Sequence, residues 1–214
     1  LISLADTCNI DALYFLKQRM GAKLLIPPSV YDESIARPLK VWRYEFSAVR
    51  IMKAFQDKVL ELVEAPELDK EAKAIVDSAN ALFEVDGKPL KILHEGEAQC
   101  LAALALAPNA ALLVDEKTTR LLIEAPELLL KTLKSEYSGE VKIKEDVLED
   151  LRAITLGTRA LRSSEVLAIA GRRGYFSSYG KISDEAFHAS LAALKSAGCS
   201  ISFDELKEYA EITP

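Results

Sequence analysis

The chain opens on an apolar run of strand length, residues 2–5, followed at once by Asp6-Thr7, a pair suited to capping a helix that carries Ile10, Leu13, Tyr14 and Leu16. This predicts a β-α unit. A second follows, with residues 23–26 strand-like, Pro27-Pro28-Ser29 as a helix-opening signal, and residues 30–36 as a short helix stopped by Pro38. Phe46, Val49, Met52, Phe55, Val59 and Leu62 then recur at helical spacing, as do Ala72, Ile75, Val76, Ala79, Leu82 and Phe83 after the cap Asp69. The two stretches predict an antiparallel helical hairpin inserted over about residues 41–85. Past Gly87 and Pro89, His94-Glu95-Gly96 opens a helix carrying Glu97, Cys100, Leu101 and Leu104, residues 110–114 read as a strand ending at Asp115, and residues 117–124 as a helix. Three strands alternating with helices predict an α/β fold, a mostly parallel central sheet with helices on both faces. After Pro126 the pattern predicts helices at 147–154, 163–171, 184–197 and 204–209, with a short strand at 141–143. Residues 1–125 thus form the expected core, and residues 126–214 a mostly helical extension packed on the same domain.

Composition narrows the class. The 214 residues are 50% hydrophobic and 28% charged, enough for one domain with a sizeable core and too apolar for disorder. With 33 acids against 27 bases the formal net charge is -6, which excludes a globally basic nucleic-acid protein but not a nucleic-acid substrate, because placement decides. That placement is uneven. Residues 37–58 carry six bases and two acids, residues 61–101 ten acids and four bases, and residues 152–181 six bases and one acid. Three cysteines, Cys8, Cys100 and Cys199, have no metal-ligand spacing and predict reduced, core-filling thiols in a cytoplasmic protein. Residues 1–5 are too short for a signal peptide, and the longest apolar run, 101–114, is interrupted by Pro108 and Asn109 and too short for a bilayer, so no membrane association is expected.

In open parallel sheets, ligands bind beyond the carboxyl ends of the strands. Asp6 and Asp115 follow expected strands directly, Glu33 lies one helical turn past another, and Glu97 sits in the first turn of the helix before the third. Each alone also reads as a helix cap, a first-turn acid or a surface residue. Four carboxylates in one pocket would repel one another, and divalent cations are the natural remedy. Oxygen-only ligation selects Mg²⁺ or Mn²⁺ over zinc, and such ions suit phosphodiester hydrolysis.

Leu4-Ala5-Asp6-Thr7, the run Pro28-Ser29-Val30-Tyr31-Asp32-Glu33, Gly96-Glu97-Ala98 running into Leu101-Ala102-Ala103-Leu104, and Leu112-Leu113-Val114-Asp115-Glu116-Lys117-Thr118-Thr119-Arg120 resemble the four acidic motifs of PIN-domain proteins. The similarity is greatest to the VapC-related prokaryotic branch with a Gly-Glu-Ala motif. It covers residues 1–36 and 92–125, and 163–210 more loosely. The resemblance implies a metal-dependent endoribonuclease in which Asp6, Glu33, Glu97 and Asp115 are catalytic and bind Mg²⁺ or Mn²⁺. Glu116, standing where the family has a second Asp, is a further ligand candidate, and Thr7 assists near the first acid. Lys117, Arg120 and Arg37 are candidates for contacts to single-stranded or loop RNA, with Lys40 and Arg43 beside Arg37. Arg159, Arg162, Arg172, Arg173 and Lys181, interleaved with Tyr175, Phe176 and Tyr179, form a weaker RNA-patch candidate, core packing being the plainer role of the aromatics.

Two other readings stay open. One is a catalytically idle PIN-fold scaffold that binds RNA or protein. The other is the toxin of a toxin–antitoxin pair, with an antitoxin as partner, although the hairpin and residues 126–162 exceed the compact toxin pattern. An apolar hairpin face would also suit a homodimer. Other chemistries lack support: 174–181 is one residue too long for a phosphate-binding loop, no dinucleotide fingerprint follows the first strand, and His94 and His188 share no ligand spacing. His94 is expected to serve as loop or helix-cap packing.

Overall fold

The computed structural model describes residues 1–107 and 109–210. In chain order the elements are α1 (Ile2–Asp6), α2 (Asp11–Met20), β1 (Leu24–Ile26), α3 (Pro28–Tyr31) running into a π-turn (Asp32–Ala36) and a 3₁₀ turn (Pro38–Lys40), α4 (Trp42–Gln56) and β2 (Leu60–Leu62). Then come α5 (Leu68–Leu82), β3 (Phe83–Val85), β4 (Lys88–Pro89), α6 (Glu95–Ala105), β5 (Ala111–Leu113), α7 (Lys117–Glu124), α8 (Pro126–Glu136), β6 (Val141–Ile143) and α9 (Glu145–Thr155). The last are β7 (Arg159–Leu161), α10 (Ser163–Gly171), a 3₁₀ segment (Tyr175–Ile182), α11 (Ser183–Ser196) and α12 (Phe203–Ala210). The fold is mixed α/β and 65% helical. In place of one central sheet, the described strands make three small ones: β1–β2, the order β4-β3-β6, and β5–β7. The first is parallel, with Leu24 opposite Leu60 and Ile26 opposite Leu62, and the second is antiparallel.

Two compact units divide the chain. The first comprises Leu1–Leu62, Leu113–Glu116 and Leu161–Pro214, and the second Val63–Leu112 and Lys117–Ala160. In the first unit the core is Leu4, Leu13, Ile35, Ile51, Leu167 and Leu191, all at most 2% exposed, with Phe176 and Phe187 in edge-to-face contact at 5.6 Å between centroids. α1 packs on α4, and α2 on α10. α2 ends where Gly21 takes a left-handed conformation, φ 64°, and its N–H returns to the Lys17 carbonyl.

The opening run is helical, which corrects the expected first strand. Five residues with Ser3, Leu4 and Ala5 all buried carry no period that separates a buried strand from a buried helix. Thr7 closes this helix by returning its N–H and its hydroxyl to the Ser3 carbonyl. The first helix of the expected hairpin is shorter than its spacing predicts. α4 stops at Gln56 because Lys58 turns left-handed, φ 60°, and residues 60–62 are strand, so Val59 and Leu62 extended the helical spacing by coincidence. α4 belongs to the first unit and α5 to the second. α4 also buries Ala48, Ile51 and Ala54, leaving Phe46 and Val49 exposed, so its core face differs from the one its aromatic spacing suggested.

The second unit is built on α5, which buries Leu68, Ala72, Ile75, Ala79 and Leu82 and packs against α6 and α9. Its polar hinge is Asn80. The Asn80 amide oxygen accepts the N–H groups of Ile92 and Leu93 at 2.7 and 2.9 Å, and its Nδ2 donates to the Leu93 carbonyl at 3.0 Å. Three backbone groups of an extended segment, which no strand partner serves, are thereby satisfied. Gln99 of α6 donates to Asp69 of α5 at 2.8 Å. Of the cysteines, only Cys199 is buried; Cys8 is exposed in a left-handed turn, φ 59°, which corrects its expected core role.

Replacing Asn80 by Ala strands those three groups and is expected to lower stability by about 2 kcal/mol. Urea unfolding checks this, and a loss below about 0.5 kcal/mol would show that water serves the segment equally well.

Candidate functional site

Asp6 ends α1 and is exposed. Its Oδ1 accepts the hydroxyl of Ser47 from α4, and one turn on, Arg50 Nη1 donates to the carbonyl of the preceding Ala5 at 2.5 Å. The Arg50 guanidinium lies 4.1 Å from the Phe46 ring centroid. Thr7, the expected assistant, is half-buried and knotted into its turn, its hydroxyl donating to Ser3 and accepting from Asn9 Nδ2 at 3.0 Å. Glu33 is exposed in the π-turn, and Arg37, four residues on, pairs with Asp32 at 2.6 Å on the surface.

Asp115 is the most embedded of the expected acids. Its Oδ1 accepts the Ser163 backbone N–H and its Oδ2 the Ser163 hydroxyl, both at 2.7 Å, so the carboxylate sits at the first residue of α10 as an anion on a helix N-terminus. Burial works to raise its pKa, but the net direction is downward, with the two Ser163 donors and the Cys199 thiol among the groups that hold the carboxyl below its ordinary value. The same contact pushes the thiol the other way. Burial first, then the charge and hydrogen bond of Asp115, raise the Cys199 pKa to about 11.

A second charged knot adjoins this one. Arg162 is 6% exposed and pairs with Glu165 at 2.5 Å and Glu205 at 2.7 Å, while its Nη1 reaches the Ser200 carbonyl at 2.8 Å. Burial disfavours its charge, but the two carboxylates outweigh this and the pKa is raised. The N–H of Ser200 donates to the backbone carbonyl of Asp115 at 3.1 Å, joining both knots. Arg162 is therefore an internal tie, and Arg159, which belongs to the second unit, donates to the Asn109 carbonyl at 2.8 Å. Phe176 is buried in the core, and Tyr179 is half-exposed.

Glu116 is exposed beside Asp115. Glu97, Lys117 and Arg120 lie in the second unit. Glu97 Oε2 accepts the His94 N–H at 3.0 Å, the return half of a capping box at the start of α6, with His94 as the helix cap. Arg120 Nε lies 3.6 Å from Glu124, one turn along α7, and Lys117 is exposed at that helix's start.

No family model, curated protein or solved structure matches this chain.

The donor set of the first unit, Asp6, Glu33, Asp115 and Glu116, is oxygen-only and suits a hard cation by type. Its arrangement does not fit one: among the described residues no group of three or more His, Cys, Asp and Glu side chains is placed to hold a metal ion. The expected acids instead cap or tether local elements, Asp6 to α4, Asp115 to α10 and Glu97 to α6. Ser47, Arg50, Ser163 and Cys199 are the site neighbours that spacing did not reveal. Ser163 alone had a sequence signal, as the first residue of an expected helix.

A carboxyl held below its ordinary pKa adds stability above the unfolded value, about 3.9, and loses it as pH falls through the folded one. Ser163→Ala is expected to cost about 1–2 kcal/mol at pH 7, with the gap to wild type closing below about pH 4. Denaturation at pH 7 and at pH 2–3 measures both. Equal stabilities at pH 7, or a gap undiminished in acid, would contradict the assignment.

Proposed function

We propose that the protein acts on RNA as a metal-dependent endoribonuclease of the PIN type, with Asp6 and Asp115 as its principal acids. The observation that carries this reading is the ordered set of four acidic motifs around Asp6, Glu33, Glu97 and Asp115. Two features of the first unit support it. Asp6 is an exposed carboxylate, with Arg50 bound to the carbonyl of the residue before it, and the surroundings of Asp115 favour its ionised form. Carboxylates alone repel a phosphodiester, so this reading makes cleavage depend on added Mg²⁺ or Mn²⁺. It also requires the first-unit acids to leave their present partners and draw together when an ion arrives.

A second reading, RNA binding without cleavage, is favoured by Asp115, both of whose oxygens are spent on Ser163. The two readings part in one assay. Labelled single-stranded RNA is incubated with the protein in Mn²⁺ and in chelator, alongside Asp6→Asn. The nuclease reading expects cleavage in Mn²⁺, none in chelator, and a loss of at least about 100-fold in the variant, equal to about 3 kcal/mol of transition-state stabilisation. Asp6 is exposed, so the variant is expected to melt as wild type does. Cleavage undiminished in chelator would end the nuclease reading as stated, and binding with no cleavage under either condition would establish the second.

A further inference from the structure

The face of α4 turned away from the core carries side chains that folding does not use. Trp42 is 93% exposed and Phe46 66%, with Val49 41% and Tyr44 49%. Trp42, Phe46, Val49 and Lys53 follow at i, i+4, i+7 and i+11, which puts them in one row along the helix. Exposing this much aromatic surface is costly in water, and rows of this kind mark surfaces that meet a ligand. Its neighbours give the ligand's charge. Residues 37–58 carry six bases against two acids, on a chain of net charge -6. Two of the bases lie over exposed aromatics of this helix, Arg50 4.1 Å from the centroid of Phe46 in the row and Arg43 5.6 Å from that of Tyr44, which stands off it. Flat apolar faces alternating with guanidinium groups are what a single strand of nucleic acid requires, bases on the rings and phosphates on the cations.

The row also leads somewhere. Arg50, stacked on Phe46, donates to the Ala5 carbonyl, and Ser47, the residue after Phe46, donates to Asp6. A cleft of about 290 Å³ lies beside Arg50 and Lys53 of this helix, lined also by Cys8, Ile10, Asp11 and Tyr14. We propose that the exposed face of α4 is the RNA-binding platform of this protein, Trp42 and Phe46 stacking on bases and Arg43 and Arg50 holding phosphates, so that the strand is led to Asp6. This rests on RNA being the ligand and adds where and how it is held. A second copy of the chain fits the face less well, because a two-fold contact sets the same row of positive charges against itself, whereas phosphates neutralise it.

Trp42 is the only tryptophan, so tryptophan emission reports on this face alone. The intact protein is titrated with a fluorescein-labelled 12-nucleotide oligouridylate in chelator, reading tryptophan emission and fluorescein anisotropy together. The expected result is quenching of Trp42 in step with the rise in anisotropy. Trp42→Ala and Phe46→Ala should each weaken binding by about 10-fold or more, with Trp42→Phe losing less and melting temperatures unchanged. Anisotropy that rises while Trp42 emission and the Trp42→Ala affinity stay as they were overturns the platform but leaves RNA as the ligand. No rise in anisotropy at any concentration overturns the RNA reading itself. A Trp42 emission that shifts with protein concentration alone overturns the platform in favour of a self-association surface.

Discussion

The first unit is assembled from three stretches far apart in the chain, and the shortest of them, Leu113–Glu116, is only four residues long. Leu113 packs against the core and Val114 is buried, and hydrogen bonds fix the rest of the segment. Val114 donates to the Leu161 carbonyl, the Asp115 carboxylate takes the N–H and hydroxyl of Ser163, and the Asp115 carbonyl takes the N–H of Ser200. Bonds to an ionised group contribute about 1.5–3 kcal/mol each, roughly twice the neutral value, which makes the carboxylate the dominant part of this set. The start of α10 is positioned through it, and the segment around Ser200 through the Asp115 backbone.

That constraint creates the tension at the centre of the molecule. A carboxylate that organises a helix N-terminus is ionised and fixed, two properties a metal ligand or electrostatic catalyst needs, yet its lone pairs already have donors. Asp6 differs, being exposed and taking a serine hydroxyl, while Arg50 binds the carbonyl of the preceding Ala5. The proposed ion-dependent chemistry would require an exchange, in which Ser163 and Ser47 give up their contacts to the ion. Basic charge is divided in a similar way: Arg162 is spent inside the fold, whereas Arg43 and Arg50 lie along exposed aromatic rings.

Much of the helical framework is legible from spacing. The α5 row Ala72, Ile75, Ala79 and Leu82 is buried as its period implies, and the strands at Leu24–Ile26, Ala111–Leu113 and Val141–Ile143 fall inside apolar runs bounded by turns. Two kinds of information are missing from such patterns. Short runs such as Ile2–Asp6 have no measurable period, and α4 has two apolar faces, of which the aliphatic one, Ala48, Ile51 and Ala54, took the core. Long-range pairing is the other gap. Nothing local to Asp115 indicates a partner 48 residues away, and the acidic motifs fix which residues are acids without fixing what they hold.

The central proposal is that Asp6 and Asp115 would come together as acids of one ion-dependent site on exchanging their serine contacts for the ion. A crystal structure of the protein grown in Mn²⁺, with the ion located by its anomalous scattering, tests it most directly. The account predicts a peak bounded by the carboxylates of Asp6 and Asp115, with Ser163 no longer donating its hydroxyl to Asp115. Crystals saturated with Mn²⁺ that show no ion near Asp6, and Ser163 still bound to Asp115, would contradict it.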